Sequence, residues 1–113
     1  SHVDNPFGLG RIKITNDKFI KIVEEKDCTE EEKKINIINT GIYAFNSKIL
    51  IKYLPYIKNN NAQNEYYLTD IIEIIKSNEK MNIDMLFIEK EKNHEILGVN
   101  NVQQLDYLCS FIF

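Results

Sequence analysis

The stretch R-I-K-I-T-N-D-K-F-I-K-I-V-E-E, from Arg11 to Glu25, contains two runs that alternate apolar and polar residues. A period of two is typical of β-strands that bury one face. Asn16-Asp17-Lys18 separates the runs and has the composition of a hairpin turn. The pattern predicts a β-hairpin formed by Arg11–Thr15 and Phe19–Glu25. Its core side is expected to consist of four isoleucines, Ile12, Ile14, Ile20 and Ile22.

Helix-like and strand-like segments alternate along the rest of the chain. Thr29 and Glu32 have the spacing of a capping box, which predicts a short helix that ends at Lys34. The remaining predicted elements are a β-rich run over Ile37–Phe45, a helix over Ile49–Ile57 that Asn46 caps and Pro55 shortens, a helix through Lys76 that Asp70 and Glu73 cap, a strand over Ile83–Glu89, and a last helix after Gly98. Strands interspersed with helices predict an α/β fold.

Composition excludes several classes of protein. The 113 residues are 43% hydrophobic and 27% charged, which is enough to fill one core as a single domain or part of one. Because the net charge is -3 and lysines are interspersed with glutamates, we expect no nucleic-acid partner. No apolar run approaches the roughly 20 residues that span a bilayer, and no signal peptide is visible. We therefore expect a soluble, cytoplasmic chain without membrane association.

The two cysteines, Cys28 and Cys109, are far apart and lack the C-x-x-C spacing of a metal or redox site. We expect both to be reduced thiols. Cys109 lies in an apolar helical pattern, which predicts that it is a core residue.

Both ends of the sequence have the pattern of a cut. Ser1-His2 is typical of the residue pair left by tag removal, which predicts that the domain begins at Val3. Near the other end, helical spacing continues up to Phe113 without a stop signal. Residues 3–113 are therefore predicted to be a domain fragment truncated at both ends.

A second informative stretch is N-N-N-A-Q-N-E-Y-Y-L-T-D, Asn59–Asp70, which we call the polar loop. Asn side chains compete for backbone hydrogen bonds and so disfavour regular helix. Three consecutive Asn alone are most often a solvated linker. The loop adds further amide, carboxylate, phenol and hydroxyl groups at Gln63, Glu65, Tyr66, Tyr67 and Thr69. This set favours a ligand that carries several hydroxyl or amide groups.

Four other positions are candidates for binding, each with a simpler alternative. Gly10 either lets a backbone amide approach a ligand or makes an ordinary turn. Glu24 closes a strand and either accepts hydrogen bonds from sugar hydroxyls or is a solvated charge. Asn39 interrupts an apolar run and needs a partner, either backbone or substrate. Asn100 or Asn101 either caps the last helix or offers a carbonyl oxygen to a hard cation.

Five motifs together resemble one enzyme family. They are V-D-N-P-F-G-L-G-R-I, I-V-E-E-K-D-C-T, I-N-T-G-I-Y-A-F, N-N-N-A-Q-N-E-Y-Y-L-T-D-I-I and G-V-N-N-V-Q-Q-L. The family is the N-acetylglucosamine-1-phosphate uridyltransferase domain of the bifunctional bacterial enzyme that also acetylates glucosamine 1-phosphate. The resemblance covers Val3 to Phe113 in the same order. The polar-loop motif is specific to this family, whereas I-N-T-G recurs in related transferases that use other sugars.

The resemblance implies a mixed-sheet, Rossmann-like domain of the nucleotide-diphospho-sugar transferase type. The parent enzyme joins UTP and N-acetylglucosamine 1-phosphate, with Mg2+ as cofactor, to give UDP-N-acetylglucosamine for cell-wall synthesis and pyrophosphate. Carried over by motif, Gly10 would contact the sugar nucleotide, and Glu24 and Asn39 would hold the N-acetylglucosamine moiety. Asn100 would be both a substrate contact and a magnesium ligand. Lys26 is implied as a phosphate neighbour, and the acetamido pocket would be shaped by Glu65, Tyr67 and Thr69.

Parts of the family pattern are missing from this sequence. The Gly-rich loop that cradles the triphosphate, the aspartate that completes the metal site and the acetyltransferase domain that makes the parent a homotrimer have no counterpart here. The chain is therefore predicted to be the acceptor-sugar-binding half, 3–113, with no catalytic residue of its own and no activity alone. An unpaired sheet edge and exposed Phe111 and Phe113 predict self-association.

Three alternatives stay open at this point. The chain is either half of a uridyltransferase, a non-catalytic module that binds sugar nucleotides, or a structural domain whose polar loop is ordinary surface. Within the enzyme class, a sister nucleotidyltransferase that uses another sugar is the second choice.

Overall fold

The predicted hairpin is present in the computed structural model, which describes residues 1–112. Strands β1 (Arg11–Thr15) and β2 (Lys18–Val23) pair in an antiparallel sheet. The turn residues Asn16 and Asp17 have φ angles of 50° and 60°. Two consecutive positive φ values are characteristic of a type I′ turn, whose twist matches that of the strands it joins. The hairpin prediction is confirmed, although β2 begins and ends earlier than expected.

A bulge in the hairpin changes which side chains reach the core. Ile14 pairs with Phe19, and Ile20 is left as the extra residue on β2. Because a bulge shifts the alternation of side chains between the two faces, Phe19 becomes the buried residue, at 4% exposure. The prediction for Ile20 is therefore wrong. Ile22 is buried as predicted and Ile12 packs against the core, whereas Ile14 is half-buried outside it.

Two predicted caps are confirmed. The Thr29 N–H donates to Glu32 Oε2 at 3.0 Å and the Glu32 N–H donates to Thr29 Oγ1 at 3.2 Å, which is a reciprocal capping box. It precedes a single 3-10 turn, Glu32–Lys34. The Asn46 side chain accepts the first free N–H groups of helix α1 (Ser47–Tyr53). As predicted, Pro55 shortens this helix. α1 ends at Tyr53, and the chain continues as the 3-10 turn Leu54–Tyr56.

Helix α2 (Asp70–Glu79) is longer than predicted and begins at the residue that was expected to cap it. Neither Asp70 nor Thr69 makes a side-chain cap, so this cap prediction is wrong. The helix ends where Lys80 adopts a left-handed conformation, with a φ of 51°. Left-handed residues commonly end helices because they direct the chain out of the helical path.

The core forms where α2 crosses the hairpin and α1. Its buried members are Phe19 and Ile22 from β2, Tyr53 from α1, and Ile71, Ile72 and Ile75 from α2. The α2 residues follow the helical spacing that places side chains on one face. Packing α2 on the hairpin holds the preceding polar loop beside the open end of the two strands.

Helix α3 (Val102–Ile112) is present as predicted but buries no side chain. Asn101 rather than Asn100 caps it, because the Asn101 Oδ1 accepts the Gln104 N–H at 2.8 Å. Cys109 is half-exposed, so its prediction as a core residue is wrong. Helical periodicity identifies side chains that share a face, but it does not indicate whether another element packs against them. Both Cys28 and Cys109 are free thiols, as predicted.

Two predicted strands are absent from residues 1–112. Within Ile37–Phe45, only Ile37 and Ile38 make isolated bridges, and the segment then turns as local side chains accept backbone N–H groups. Ile83–Glu89 is also irregular, and a 3-10 helix, Lys90–Ile96, follows it. A β-strand requires a neighbouring strand for its hydrogen bonds, which sequence alternation alone cannot supply. No helix within residues 1–112 is long and apolar enough to cross a bilayer.

The first residues contact the bridged segment. The Ser1 ammonium donates to the Ile38 carbonyl at 3.1 Å, and His2 pairs with Ile37. The origin of Ser1-His2 in a tag stays a prediction. Of the two phenylalanines predicted to be exposed, Phe111 is 50% exposed, and Phe113 lies outside the described residues.

Candidate functional site

The open end of the hairpin brings Gly10 and Glu24 together. Arg11 pairs with Val23 across the sheet, so the residues just outside this pair are neighbours. A β-carbon on Gly10 would lie 3.3 Å from Glu24 Oε2. Buried Arg11 also forms an ion pair with Glu25 at 2.7 Å, which joins the two segments a second time. The Glu24 carboxylate can approach the backbone here because position 10 has no side chain.

Asn39 joins the same site through its backbone. The Asn39 N–H donates to the Gly10 carbonyl at 2.8 Å. Its side-chain Oδ1 accepts the Tyr43 hydroxyl at 2.6 Å and the Gly41 N–H at 3.2 Å. The structure therefore brings together three of the four predicted substrate-binding residues, Gly10, Glu24 and Asn39, which we call the glycine–glutamate site.

Tyr43 is a functional candidate that sequence reasoning missed. It is half-buried, and burial raises the pKa of its phenol, as does the nearby Glu24 carboxylate, while the hydrogen bond to Asn39 lowers it. A neutral phenol donates to Asn39 and fixes the orientation of the amide. The signal available in the sequence was the polar hydroxyl of Tyr43 within the same apolar run as Asn39.

The polar loop docks beside the glycine–glutamate site at two points. The Thr69 hydroxyl donates to Glu24 Oε1 at 3.2 Å. The Ala62 N–H donates to Asp27 Oδ1 at 2.7 Å. These bonds tie the first half of the loop, at Ala62, and its end, at Thr69, to the short segment that follows β2.

The polar loop is also organised internally, mainly by Asn61. The Asn61 Oδ1 accepts the N–H groups of Gln63 at 3.2 Å and Glu65 at 3.1 Å. The Gln63 Nε2 donates to the Tyr67 hydroxyl at 2.9 Å, while Asn64 adopts a positive φ of 55°. Side chains that replace missing helical or sheet hydrogen bonds give the loop a defined shape. This favours the ligand interpretation over that of a solvated linker.

The charge around the site is negative. Burial raises the pKa of the Asp70 carboxyl, and the neighbouring carboxylates of Glu73, Asp27 and Glu24 raise it further. Carboxylates that crowd one another repel an approaching phosphate but accept hydrogen bonds from hydroxyl groups. The site therefore suits hydroxyl groups better than phosphates. Lys26, the predicted phosphate neighbour, is exposed.

Within the site, Gly10 is buried, and Glu24 and Asn39 are half-buried. A cavity of about 120 Å³ lies beside Asn39 and Tyr43, and its walls are mostly apolar side chains of the core. Pockets that enclose small molecules usually measure about 300–1,000 Å³. This cavity is therefore smaller than those that usually enclose a small molecule.

Asn100 is not linked to the other three predicted residues by any hydrogen bond between described residues. It is exposed, and its N–H donates to Gln104 Oε1 at 2.7 Å. Within residues 1–112, no three His, Cys, Asp or Glu side chains gather in a group that could hold a metal ion. A single neutral amide oxygen does not match the carboxylate and phosphate ligands that Mg2+ usually takes.

Comparison with known proteins points to the same family as the five sequence motifs. A family model described as nucleotidyl transferase matches residues 1–97. A probable UDP-N-acetylglucosamine pyrophosphorylase of Acanthamoeba polyphaga mimivirus is 46% identical over 110 residues, which cover 96% of this chain and 43% of the relative. The bifunctional protein GlmU of Clostridium beijerinckii is 53% identical over 103 residues, which cover 91% of this chain and 22% of the relative.

The GlmU protein of Helicobacter pylori is 50% identical over 101 residues, which cover 88% of this chain and 22% of the relative. The chain thus spans less than half the length of each of these three relatives. The family resemblance inferred from the five motifs is confirmed by these matches.

Proposed function

Because the chain belongs to the nucleotidyl transferase family, we propose that it forms the acceptor-sugar side of a UDP-N-acetylglucosamine pyrophosphorylase. The proposed enzyme joins UTP and N-acetylglucosamine 1-phosphate and releases pyrophosphate. The observation that carries the proposal is the contact between Gly10 and Glu24, with the polar loop held beside it by Thr69. The mimivirus relative, a probable UDP-N-acetylglucosamine pyrophosphorylase, supports this choice of sugar.

Each residue of the site has a proposed role in holding the sugar. Glu24 accepts hydrogen bonds from the sugar hydroxyls, and the missing side chain at Gly10 leaves room for this carboxylate. Asn39, oriented by Tyr43, contributes an amide. The acetamido group lies against the polar loop, where Glu65, Tyr67 and Thr69 supply a carboxylate and two hydroxyls.

This arrangement would serve catalysis through alignment. Uridylyl transfer depends mainly on placing the attacking phosphate in line with the α-phosphorus and on neutralising the charge of the phosphates. Gly10, Glu24 and Asn39 hold the sugar and carry no positive charge, so the chain would position the acceptor while other groups neutralise the triphosphate. Mg2+, with Asn100 as a ligand, stays a prediction, because the surroundings of Asn100 do not complete a magnesium site.

Further predictions concern the state of the chain. We propose that the chain is inactive alone. We also propose that it associates with itself, since α3 leaves apolar side chains exposed, such as Leu105 at 47% and Ile112 at 64%. A homotrimeric parent, a cytoplasmic location and the lack of a nucleic-acid or membrane partner also stay predictions. Light scattering over a wide concentration range tests self-association, and a monomer at all concentrations would contradict it.

The test of the function is pyrophosphate release from UTP and N-acetylglucosamine 1-phosphate by the chain mixed with a nucleotide-binding half from a relative. Glucose 1-phosphate is the control sugar. We expect activity that is selective for the acetylated sugar, absent from the chain alone, and strongly reduced by Glu24→Gln. The exposed Glu30 supplies the matched control Glu30→Gln, which should retain activity.

Equal activity with both sugars would contradict the acetamido role of the polar loop. Inactivity of a complex that has demonstrably assembled would favour a binding module or a structural domain.

A further inference from the structure

Asp27 connects the glycine–glutamate site to the polar loop. It ends the 3-10 turn Glu25–Asp27, and its N–H donates to the Glu24 carbonyl at 2.9 Å. Its side-chain Oδ1 accepts the N–H of Ala62, which is 35 residues further along the chain, at 2.7 Å. Asp27, which lies shortly after Glu24 in the chain, is thereby bonded directly to the backbone of the polar loop.

The second carboxylate oxygen of Asp27 is shielded from solvent. Asp27 Oδ2 is buried and has no hydrogen-bond partner of good geometry among residues 1–112. A buried carboxylate oxygen without a donor is costly, so such an oxygen usually lies where a donor can reach it.

Tyr67 is the candidate donor, because its hydroxyl is bonded to Gln63, the neighbour of the Ala62 that Asp27 holds. Its oxygen already accepts from Gln63 Nε2, which leaves its proton free to be donated. Burial raises the pKa of the Tyr67 phenol, the hydrogen bond from Gln63 lowers it, and the charge of Asp27 raises it. A hydrogen bond from the Tyr67 hydroxyl to Asp27 Oδ2 would pair the oxygen that has no partner among residues 1–112.

We propose that Asp27 is a positioning residue, which holds the polar loop at Ala62 and Tyr67 so that Tyr67 and Thr69 stay beside the Glu24 carboxylate. The proposal rests on the proposed function in one respect, namely that the ligand placed by the loop is an N-acetylated sugar. Asp27 itself does not need to touch that ligand. Its effect is exerted through the shape of the loop.

The test uses Asp27→Asn, which preserves the size of the side chain but removes its charge and replaces one acceptor with a donor. The matched control is Asp106→Asn on the exposed surface of α3, which makes the same change in net charge. Circular dichroism melting of both variants establishes that they are folded. Tyr67→Phe is a second variant, which removes the proposed donor without altering Asp27.

The first readout requires no ligand. Amide hydrogen exchange measured by NMR should be about tenfold faster at Ala62 in Asp27→Asn than in the unmodified chain, because a charge-assisted hydrogen bond is lost. Tyr67→Phe should loosen the loop in the same direction, and Asp106→Asn should not. Unchanged exchange at Ala62 in a folded Asp27→Asn variant would overturn the positioning role. If Asp27→Asn fails to fold, unchanged loop exchange in Tyr67→Phe would overturn it instead.

The second readout is affinity for UDP-N-acetylglucosamine, with UDP-glucose as the comparison. Asp27→Asn should weaken binding of the acetylated sugar nucleotide about tenfold and bring the two affinities closer together. Asp27→Asn combined with Tyr67→Phe should bind little more weakly than Asp27→Asn alone, since Asp27→Asn already releases Tyr67 from its position. Full additivity would overturn the role assigned to Tyr67. If the unmodified chain bound neither ligand, the proposed function would fail, while exchange at Ala62 would still decide the positioning role.

Discussion

The carboxylate of Glu24 lies directly over the α-carbon of Gly10, where an added β-carbon would come within 3.3 Å of Oε2. The type I′ turn and the bulge of the hairpin set the register that makes these two residues neighbours. Glu24 is in turn bonded to Thr69 of the polar loop at 3.2 Å. A displacement of this carboxylate would therefore disturb both the proposed sugar contact and the docking of the loop.

Replacing Gly10 by Ala should weaken binding of UDP-N-acetylglucosamine by about tenfold while changing stability little. The new methyl group pushes on the flexible end of the Glu24 side chain, which can move at low cost but then loses its hydrogen-bond geometry. Calorimetric titration and thermal melting measure the two effects. Gly98→Ala is the control, because a β-carbon there meets nothing within 4 Å. Equal binding by the Gly10 and Gly98 variants would count against the assignment.

Replacing Tyr43 by Phe should lower the free energy of unfolding by about 1 kcal/mol, since a partly buried hydrogen bond to Asn39 is lost. It should also weaken sugar-nucleotide binding, because the Asn39 amide is no longer oriented. Urea denaturation measures the first effect and titration the second. Tyr107→Phe on exposed α3 is the control and should behave like the unmodified chain.

Glu32 should make the stability of the chain depend on pH. The Thr29 N–H, first, and then Lys13 hold the pKa of the Glu32 carboxyl below its ordinary value of 4.5. A carboxyl whose pKa is lowered by folding contributes stability that is fully present above its unfolded pKa. This contribution is lost as the pH falls from about 4.5 through the lower pKa of the folded state.

The urea midpoint measured between pH 7 and pH 3 tests this. Glu32→Gln keeps an acceptor for the cap but does not titrate, so its midpoint should fall less steeply with acid. Glu31→Gln, at an exposed neighbouring position, should retain the full slope. An identical slope in the Glu32 variant would show that this carboxyl does not contribute.

Replacing Ile71 by Ala should destabilise the chain by about 2–5 kcal/mol, the usual range for a large-to-small change at a fully buried position. Ile71 is 0% exposed and lies at the centre of the contact between α2 and the hairpin. Ile51→Ala, at 69% exposure on α1, should cost much less. Chemical denaturation of both variants compares them, and equal losses would place the core elsewhere.

Local features of the fold were predictable from the sequence. The hairpin, the Thr29–Glu32 capping box and the Asn46 cap each depend on residues that are close in sequence, and all three are present. The α/β class is also confirmed, and the family match supports it.

Features that depend on distant partners were not predictable. The bulge that buries Phe19 in place of Ile20 is visible only in the register of the folded hairpin. The apolar pattern of Ile83–Glu89 predicts a strand, but among the described residues no strand pairs with this segment, and the pattern alone cannot reveal that.

The candidate site was predicted in part. Gly10, Glu24 and Asn39 were selected from motifs, and their proximity follows from the hairpin and from one backbone bond. Asp27 and Tyr43 were not selected, because their roles come from contacts that only the folded chain shows. Asp27 accepts from Ala62, and Tyr43 donates to Asn39. Asn100 was selected by resemblance, and its role stays a prediction.

The most direct test of the central claim is an NMR titration of the isotope-labelled chain with UDP-N-acetylglucosamine, compared with UDP-glucose. We predict saturable shifts at the backbone amides of Gly10, Glu24 and Asn39 and in the polar loop, with weaker effects from UDP-glucose. No shifts at saturating concentration, or shifts confined to α3, would contradict the assignment of this surface as the sugar-binding site.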